Sequence, residues 1–160
     1  MIQLVRPTEE RKEQALEFKQ EFFDHGEFVI NGSELFDKTD DYTEWCRAID
    51  ANTKEETVNP DWVVTDTFFA VDDNGRIVGI IDLRHTLNDF LKDLGNCGYS
   101  VRPSERRKGI ATEMLRQLLD NEPSVKTIIR NGGVYERSFE FDEEQADIYR
   151  IAVNSGIGFL

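Results

Sequence analysis

The run from Gly98 to Thr112 holds the residues of this chain most able to do chemistry together. Arg106, Arg107 and Lys108 stand immediately before Gly109, and from Ile110 onward the apolar positions Ile110, Met114, Leu115 and Leu118 recur at helical spacing. A β-prone stretch, Tyr99 to Val101, ends at Pro103. The order is strand, loop, helix. The first N–H groups of a helix lack intrahelical acceptors and carry the positive end of its dipole. Gly109 admits a bound group where a side chain would collide, and the neighbouring cations add charge at the same point. The chemistry implied is capture of a phosphate or pyrophosphate. The plainer alternative is a basic surface loop before an ordinary helix.

The elements that position this loop can be read along the chain. Ile2 to Arg6 reads as a strand ended by Pro7. Thr8 is placed to cap a helix with Glu9 and Glu10 in its first turn, Ala15, Phe18, Phe22 and Phe23 on its buried face, and Gly26 as its stop. From Glu27 to Pro60 the pattern loosens around one amphipathic piece, Tyr42 to Ile49. A loop this long tends to bind or cover something. Its carboxylates Glu34, Asp37, Asp40, Asp41 and Glu44 can receive an amine or be plain solvated charge. Trp62 to Val64 and Thr67 to Val71 are β-rich, Asp73-Asn74-Gly75 predicts a hairpin turn, and Arg76 to Leu83 returns as the next strand. Leu87 to Leu94 is a mixed stretch with room for one helical turn. Val125 to Arg130 reads as a short helix before Asn131-Gly132-Gly133. Val134 to Phe141 and Ala146 to Val153 read as two strands, and Asn154 to Leu160 shows no pattern.

With 160 residues the chain suits one domain, 1–153, followed by a tail, 154–160. That size buries roughly 70% of the unfolded surface and needs no staples. Cys46 and Cys97 alone form no zinc or disulfide framework, which fits a reducing compartment. No signal-peptide core and no run of about 20 apolar residues appears, so the expected location is cytoplasmic. A net charge of −13 repels nucleic acid and anionic membranes. It attracts a cationic amine, or serves solubility alone. Against it, Arg102, Arg106, Arg107, Lys108 and Arg116 form a local basic cluster, which calls for a local anionic ligand.

Arg106-x-x-Gly109-x-Ala111, after a strand and before an amphipathic helix, resembles the acetyl-CoA signature of the GNAT superfamily of N-acetyltransferases, written Gln/Arg-x-x-Gly-x-Gly/Ala. The wider run Gly98 to Leu119 resembles its small bacterial-type members. The resemblance implies an α/β (α+β) fold with a mixed, mostly antiparallel central sheet flanked by helices. It implies acetyl-CoA as co-substrate, no metal, and acetyl transfer to a primary amine of a small molecule or peptide by direct attack. Tyr99, Ser100 and Val101 are then expected to pair with pantetheine like an added strand. Arg106, Arg107, Lys108, Gly109, Ile110, Ala111 and Thr112 are expected to hold the pyrophosphate, and Asn121 to help position the cofactor. A backbone N–H near Val101 serves the oxyanion, and neither Cys97 nor Ser100 is needed as a nucleophile. A base must take the ammonium proton. His85 is the candidate, with Asp82 and Glu105 as carboxylate alternatives; a structural hydrogen-bonding role is the plain reading of His85.

Two departures from the family pattern stand in the sequence. Between Leu119 and Pro123 the intervening residues reach at most about 14 Å, too short for the strand that follows the signature helix in the family. About twenty residues are missing relative to a normal crossover, through a true loss or through a segment removed at Leu119/Asp120. Many members of the family carry a Tyr as general acid for the departing thiolate seven residues after the Asn; that position here is Ile128, so the proton comes from elsewhere or the thiolate leaves unprotonated. Two competing readings follow: a non-catalytic acyl-CoA-binding or regulatory module on the same fold, and an acidic interaction protein whose cations only balance local charge. The acceptor amine stays open, as does the choice between monomer and homodimer.

Overall fold

The computed structural model describes residues 1–86, 97–121, 134–141, 144–153 and 156–159. The opening strand β1 (Gln3–Val5) is followed by a 3-10 turn, Glu9–Arg11, and helix α1 (Lys12–Asp24). Thr8 is extended and makes no side-chain cap bond. The entry to the helix is instead closed by the Arg11 N–H, which donates to Thr8 O at 3.1 Å. Ala15, Phe18 and Phe22 are buried as their spacing predicts, and Gly26 stops the helix at φ +75°. Helix α2 (Tyr42–Ala51) starts at Asp41, whose carboxylate accepts from the Glu44 N–H at 3.1 Å.

Strands β2 (Thr65–Val71) and β3 (Ile77–Arg84) form the predicted hairpin, with Gly75 at φ +78° in the turn. Trp62 to Val64, β-prone by composition, lies outside the strand. Backbone pairing there is already committed: the Thr65 N–H donates to Asn52 O, and Val64 O accepts from the His85 N–H. Strand β4 (Cys97–Val101) pairs with β3, and helix α3 (Ile110–Asn121) follows.

The sheet order is β1-β2-β3-β4, every pair antiparallel. The sheet is antiparallel throughout the described residues and flanked by helices, in keeping with the mostly antiparallel α/β arrangement expected. Every residue of β2 and β3 is buried, because helices cover both faces. On one face α3 packs Ile110, Met114 and Leu118 onto Phe68, Ile81 and Leu83. Gly79 makes that packing possible, since a Cβ there would stand 2.6 Å from the Met114 sulfur. On the other face Phe18, Phe22, Phe36, Trp45 and Ile49 pack onto Phe69 and Ile80.

Helix α3 runs through Leu119 and Asp120 without interruption to Asn121. The next described strand is β5 (Val134–Phe141), so no described strand lies against the outer edge of β4. Strands β5, β6 (Glu144–Val153) and β7 (Gly156–Phe159) form a separate antiparallel sheet with β6 alongside α3. The expectation of a patternless tail over 154–160 is thereby corrected. Gly156-Ile157-Gly158-Phe159 pairs with β6; alternating glycines hide a strand from a propensity reading, while the edge of β6 supplies its hydrogen bonds. The short helix expected over Val125 to Arg130, and the mixed stretch Leu87 to Leu94, lie outside the described residues.

Candidate active site

The anion loop begins where β4 ends. The Arg102 N–H donates to Val78 O at 2.8 Å, and a 3-10 turn, Pro103–Glu105, leads toward α3. Arg107 adopts φ +66° and Gly109 φ +76°, a pair of left-handed positions close in sequence, the kind of backbone that can form an anion-binding nest. Around Gly109 nothing lies within 4 Å of where a Cβ would stand. The Glu113 N–H donates to Gly109 O at 3.1 Å, the first bond of the helix. The amides of Lys108, Gly109 and Ile110 have no hydrogen-bond partner among the described residues. The main chain thus presents a cradle that fits a diphosphate.

The side chains behave differently from expectation. Arg102 is buried and clamps α1 to β3, donating to Glu17 at 2.8 Å, Glu21 at 3.1 Å and Ile77 O at 3.1 Å. Arg106 makes a bidentate pair with Glu27 at 2.8 and 2.9 Å. Lys108 donates to Glu105 at 2.9 Å, and Arg116 pairs with Glu113 and Asp120. The basic cluster therefore does not require an external anion for these four residues: in a chain of net charge −13, the nearest counter-ions are its own carboxylates. Burial works to raise the Glu21 carboxyl, but the Ser104 amide and Arg102 outweigh it and hold Glu21 below the ordinary carboxylate range. Ile110 and Ala111 are buried in the core, so only their main chain can serve a ligand, while Thr112 is exposed. Asn121 is the last residue of α3; its side chain lies outside the described set.

The outer edge of β4 continues the cradle. Because the Arg102 N–H bonds Val78 O, the neighbouring pair Val101↔Gly79 is of the non-hydrogen-bonded kind. The main-chain groups of Val101, and two residues back those of Tyr99, thus face the outer edge. Arg106 reads the same edge: its Nε donates to Val101 O at 3.2 Å. Ser100 points the other way and donates its hydroxyl to Asn31 O at 2.8 Å.

At the N-terminal half of β4 the chain between α1 and α2 crosses the sheet. Gly32 and Gly98 are in contact: a Cβ on Gly32 would stand 2.2 Å from Gly98 O. This close approach brings Glu34, in the left-handed region at φ +50°, against Asp82 of β3. The Glu34 carboxyl lies within hydrogen-bonding reach of the Asp82 carboxyl. Asp82 is fully buried and also accepts from the Gly98 N–H at 2.7 Å and from Arg84 at 3.3 Å. Burial, then the hydrogen bond to Asp82 and its charge, push the Glu34 carboxyl up to about 9, with Arg84 and Trp62 opposing. Cys97 is pushed up by burial and by Asp82, which leaves its thiol a poor nucleophile.

His85 lies three residues beyond Asp82, about 10 Å further along the sheet. Its Nε2 is 2.6 Å from Asp66 Oδ2, and Asp66 also accepts from Arg6 at 2.9 Å. Burial works to raise Asp66, but the hydrogen bonds from His85 and Arg6 outweigh it and hold the carboxyl down. His85 remains part-exposed. Glu105, the other carboxylate considered, is taken up by Lys108 and Arg76.

A protein-family model, the acetyltransferase (GNAT) family, matches residues 33–124 of this chain, from the residue before Glu34 to just past α3. The chain belongs to the GNAT acetyltransferase family. A solved structure from Bordetella pertussis, assigned to the GnaT-family acetyltransferases, has a similar fold. It aligns over 93% of this chain and 94% of its own at a TM-score of 0.51 and 15% identity. No curated protein matches.

Acetyl transfer is the chemistry of this GNAT family, and its signature occupies the expected place, between the end of β4 and the start of α3. Helix α3 continues through Leu119 and Asp120 to Asn121, and among the described residues no strand pairs with the outer edge of β4. Ile128 lies outside the described residues. The pairing of Glu34 with Asp82 was not visible in the sequence. The signal available for it was a glycine in each of two distant segments, Gly32 and Gly98, which only a contact map joins. Thr67 was missed as well: it faces Asp82 across the β2–β3 ladder. Among the described residues no group of three or more His, Cys, Asp or Glu could hold a metal, and no helix is long and apolar enough to cross a membrane.

Proposed function

We propose that this GNAT chain is an N-acetyltransferase that moves an acetyl group from acetyl-CoA to a primary amine of a small molecule or peptide by direct attack. The observation that carries the reading is the set of amides at Lys108, Gly109 and Ile110, which have no hydrogen-bond partner among the described residues and lie where the outer edge of β4 meets the N-terminus of α3. In this reading the amides hold the diphosphate, with Arg107, Ala111 and Thr112 around them. Arg106, held by Glu27, fixes the loop. The pantetheine arm pairs with the edge of Tyr99 and Val101 while Ser100 anchors the facing loop, and Asn121 lies at the far end of the cofactor site. The Val101 N–H, or that of Tyr99, meets the negative charge that grows on the carbonyl oxygen.

The amine loses its first proton to His85, directly or through water, and Asp66 orients the imidazole and steadies its charged form. With Cys97 pushed up and Ser100 engaged by Asn31, direct attack fits better than a covalent enzyme intermediate. Residues 1–153 form the working unit in this proposal, joined by the strand Gly156–Phe159. The two free cysteines suit the cytoplasm. A primary amine is the partner class, met by a monomer or a homodimer.

A specific observation keeps a second reading in view. Arg106 and Lys108 are already paired with carboxylates, and the outer edge of β4 has no described strand beside it, which favours a module that binds acyl-CoA without turnover. One experiment separates the two. Coenzyme A is added in a thermal-shift assay, and acetyl-CoA is supplied with a panel of primary amines while acetylated product is followed by mass spectrometry. Protection with product supports the enzyme; protection without product supports the module; neither one overturns both.

A further inference from the structure

Resting on the acetyl-transfer reading above, we propose that the Glu34–Asp82 pair is the proton shuttle of this active site: Glu34 protonates the departing thiolate and recovers a proton from the newly acylated nitrogen. Two carboxyl groups joined by a hydrogen bond must hold a proton between them. Asp82 already accepts from the Gly98 N–H at 2.7 Å and from Arg84 at 3.3 Å. The proton therefore belongs to Glu34. The groups facing the pair from each element packed against it are Arg84 from β3, Cys97 from β4 and Trp62 from the segment before β2. Arg84 balances the one charge of Asp82, so the cluster is neutral while Glu34 keeps its proton.

A second observation shows that the cluster is built to receive something. Thr67 is Asp82's cross-strand partner, so its side chain stands on the same face of the sheet. It is 3% exposed, and its hydroxyl oxygen has no hydrogen-bond partner among the described residues. A buried hydroxyl without a partner is destabilising, and a group arriving beside the pair relieves that. Glu34 itself is only half-buried, which leaves the pair reachable from solvent.

Position supplies the role. The anion cradle lies at the C-terminal end of β4, so an arm following the strand's outer edge runs back toward Gly98. Asp82 pairs with Gly98, three residues and about 10 Å before Val101. With the oxyanion at the Tyr99 N–H, one residue from Gly98, the reacting end of the arm and the carboxyl pair meet at the same half of the strand. A proton donor there has work to do, since Ile128 stands where the resemblance implies a Tyr. The step balances: the amine nitrogen forms the C–N bond, and the C–S electron pair leaves on sulfur. The Glu34 proton completes the thiol, and a proton from the nitrogen returns to the Glu34 carboxylate. A Glu34 held near 9 is well matched to a thiol whose ordinary value is about 8.5.

The test is the pH profile of kcat for wild type and Glu34→Gln, with CoA affinity measured by thermal shift. In wild type kcat falls on the alkaline side as the pair loses its proton. In Glu34→Gln kcat drops roughly 10²-fold, that alkaline limb disappears, and CoA affinity is unchanged. Should Glu34→Gln fail to fold, an infrared titration of wild type decides. A buried protonated carboxyl that ionises over the same pH range as the fall in kcat supports the shuttle; its absence at neutral pH overturns it. Wild-type kcat and an unchanged alkaline limb in a folded Glu34→Gln overturn the shuttle alone. Absence of turnover by wild type removes the acetyl-transfer reading and the shuttle together.

Discussion

At the scale of single residues, the proposed anion site divides its work between main chain and side chains. Gly109 lies at φ +76° with open space where a Cβ would project, and that space is the mouth of the cradle. Gly109→Ala is expected to lower stability by only about 1 kcal/mol for the left-handed backbone and to weaken coenzyme A binding about tenfold or more, measured by calorimetry beside a melting curve. Arg106→Ala is expected to show the opposite balance, a lower Tm and an affinity loss of a few fold, because its guanidinium is engaged by Glu27 and Val101 O. Glu34 carries a pH signature in stability too. Its carboxyl ionises ordinarily at 4.5 and is pushed up to about 9 in the folded chain. Between those values the folded state holds a proton that the unfolded state has released, so this group's contribution to stability falls as pH rises across the window. Glu34→Gln, neutral at every pH, is expected to gain Tm relative to wild type at pH 9 compared with pH 5.

At the scale of elements, the contact of two glycines decides whether the site exists. The chain between α1 and α2 reaches β4 only because Gly32 and Gly98 lack side chains, and Gly32 is left-handed as well. Gly32→Ala is expected to cost about 3 kcal/mol, from overpacking plus backbone strain. It is also expected to part Glu34 from Asp82, so that a buried carboxyl no longer titrates near 9 in the infrared spectrum. The hairpin of β2 and β3, by contrast, follows from local pattern: two apolar runs separated by a turn with glycine at its left-handed position. Its register places Thr67 opposite Asp82.

For the whole molecule, charge is the governing property. A chain of net charge −13 that neutralises Arg102, Arg106, Lys108 and Arg116 internally presents a mostly anionic surface to solvent. Raising ionic strength from 0.05 to 0.3 M shortens the screening length from about 14 to about 6 Å. The expected result is a KM that rises a few fold for a cationic amine and falls for acetyl-CoA, read from steady-state kinetics at the two salt concentrations. Equal and parallel changes for both substrates would contradict the charge argument.

The sequence by itself determined the elements and the place of the anion loop. Helical spacing from Ile110 to Leu118, the Asp73-Asn74-Gly75 turn and the order strand, loop, helix are local signals, and local backbone and apolar periodicity decide them. It also showed that no strand fits between Leu119 and Pro123, since chain reach is a matter of residue count. Tertiary structure alone decided which carboxylates meet which cations, and that Glu34 lies against Asp82. It likewise settled that β7 adds to β6. Those outcomes depend on which distant segments touch, and burial there changes the proton affinity of a side chain whose neighbours in sequence say nothing about it.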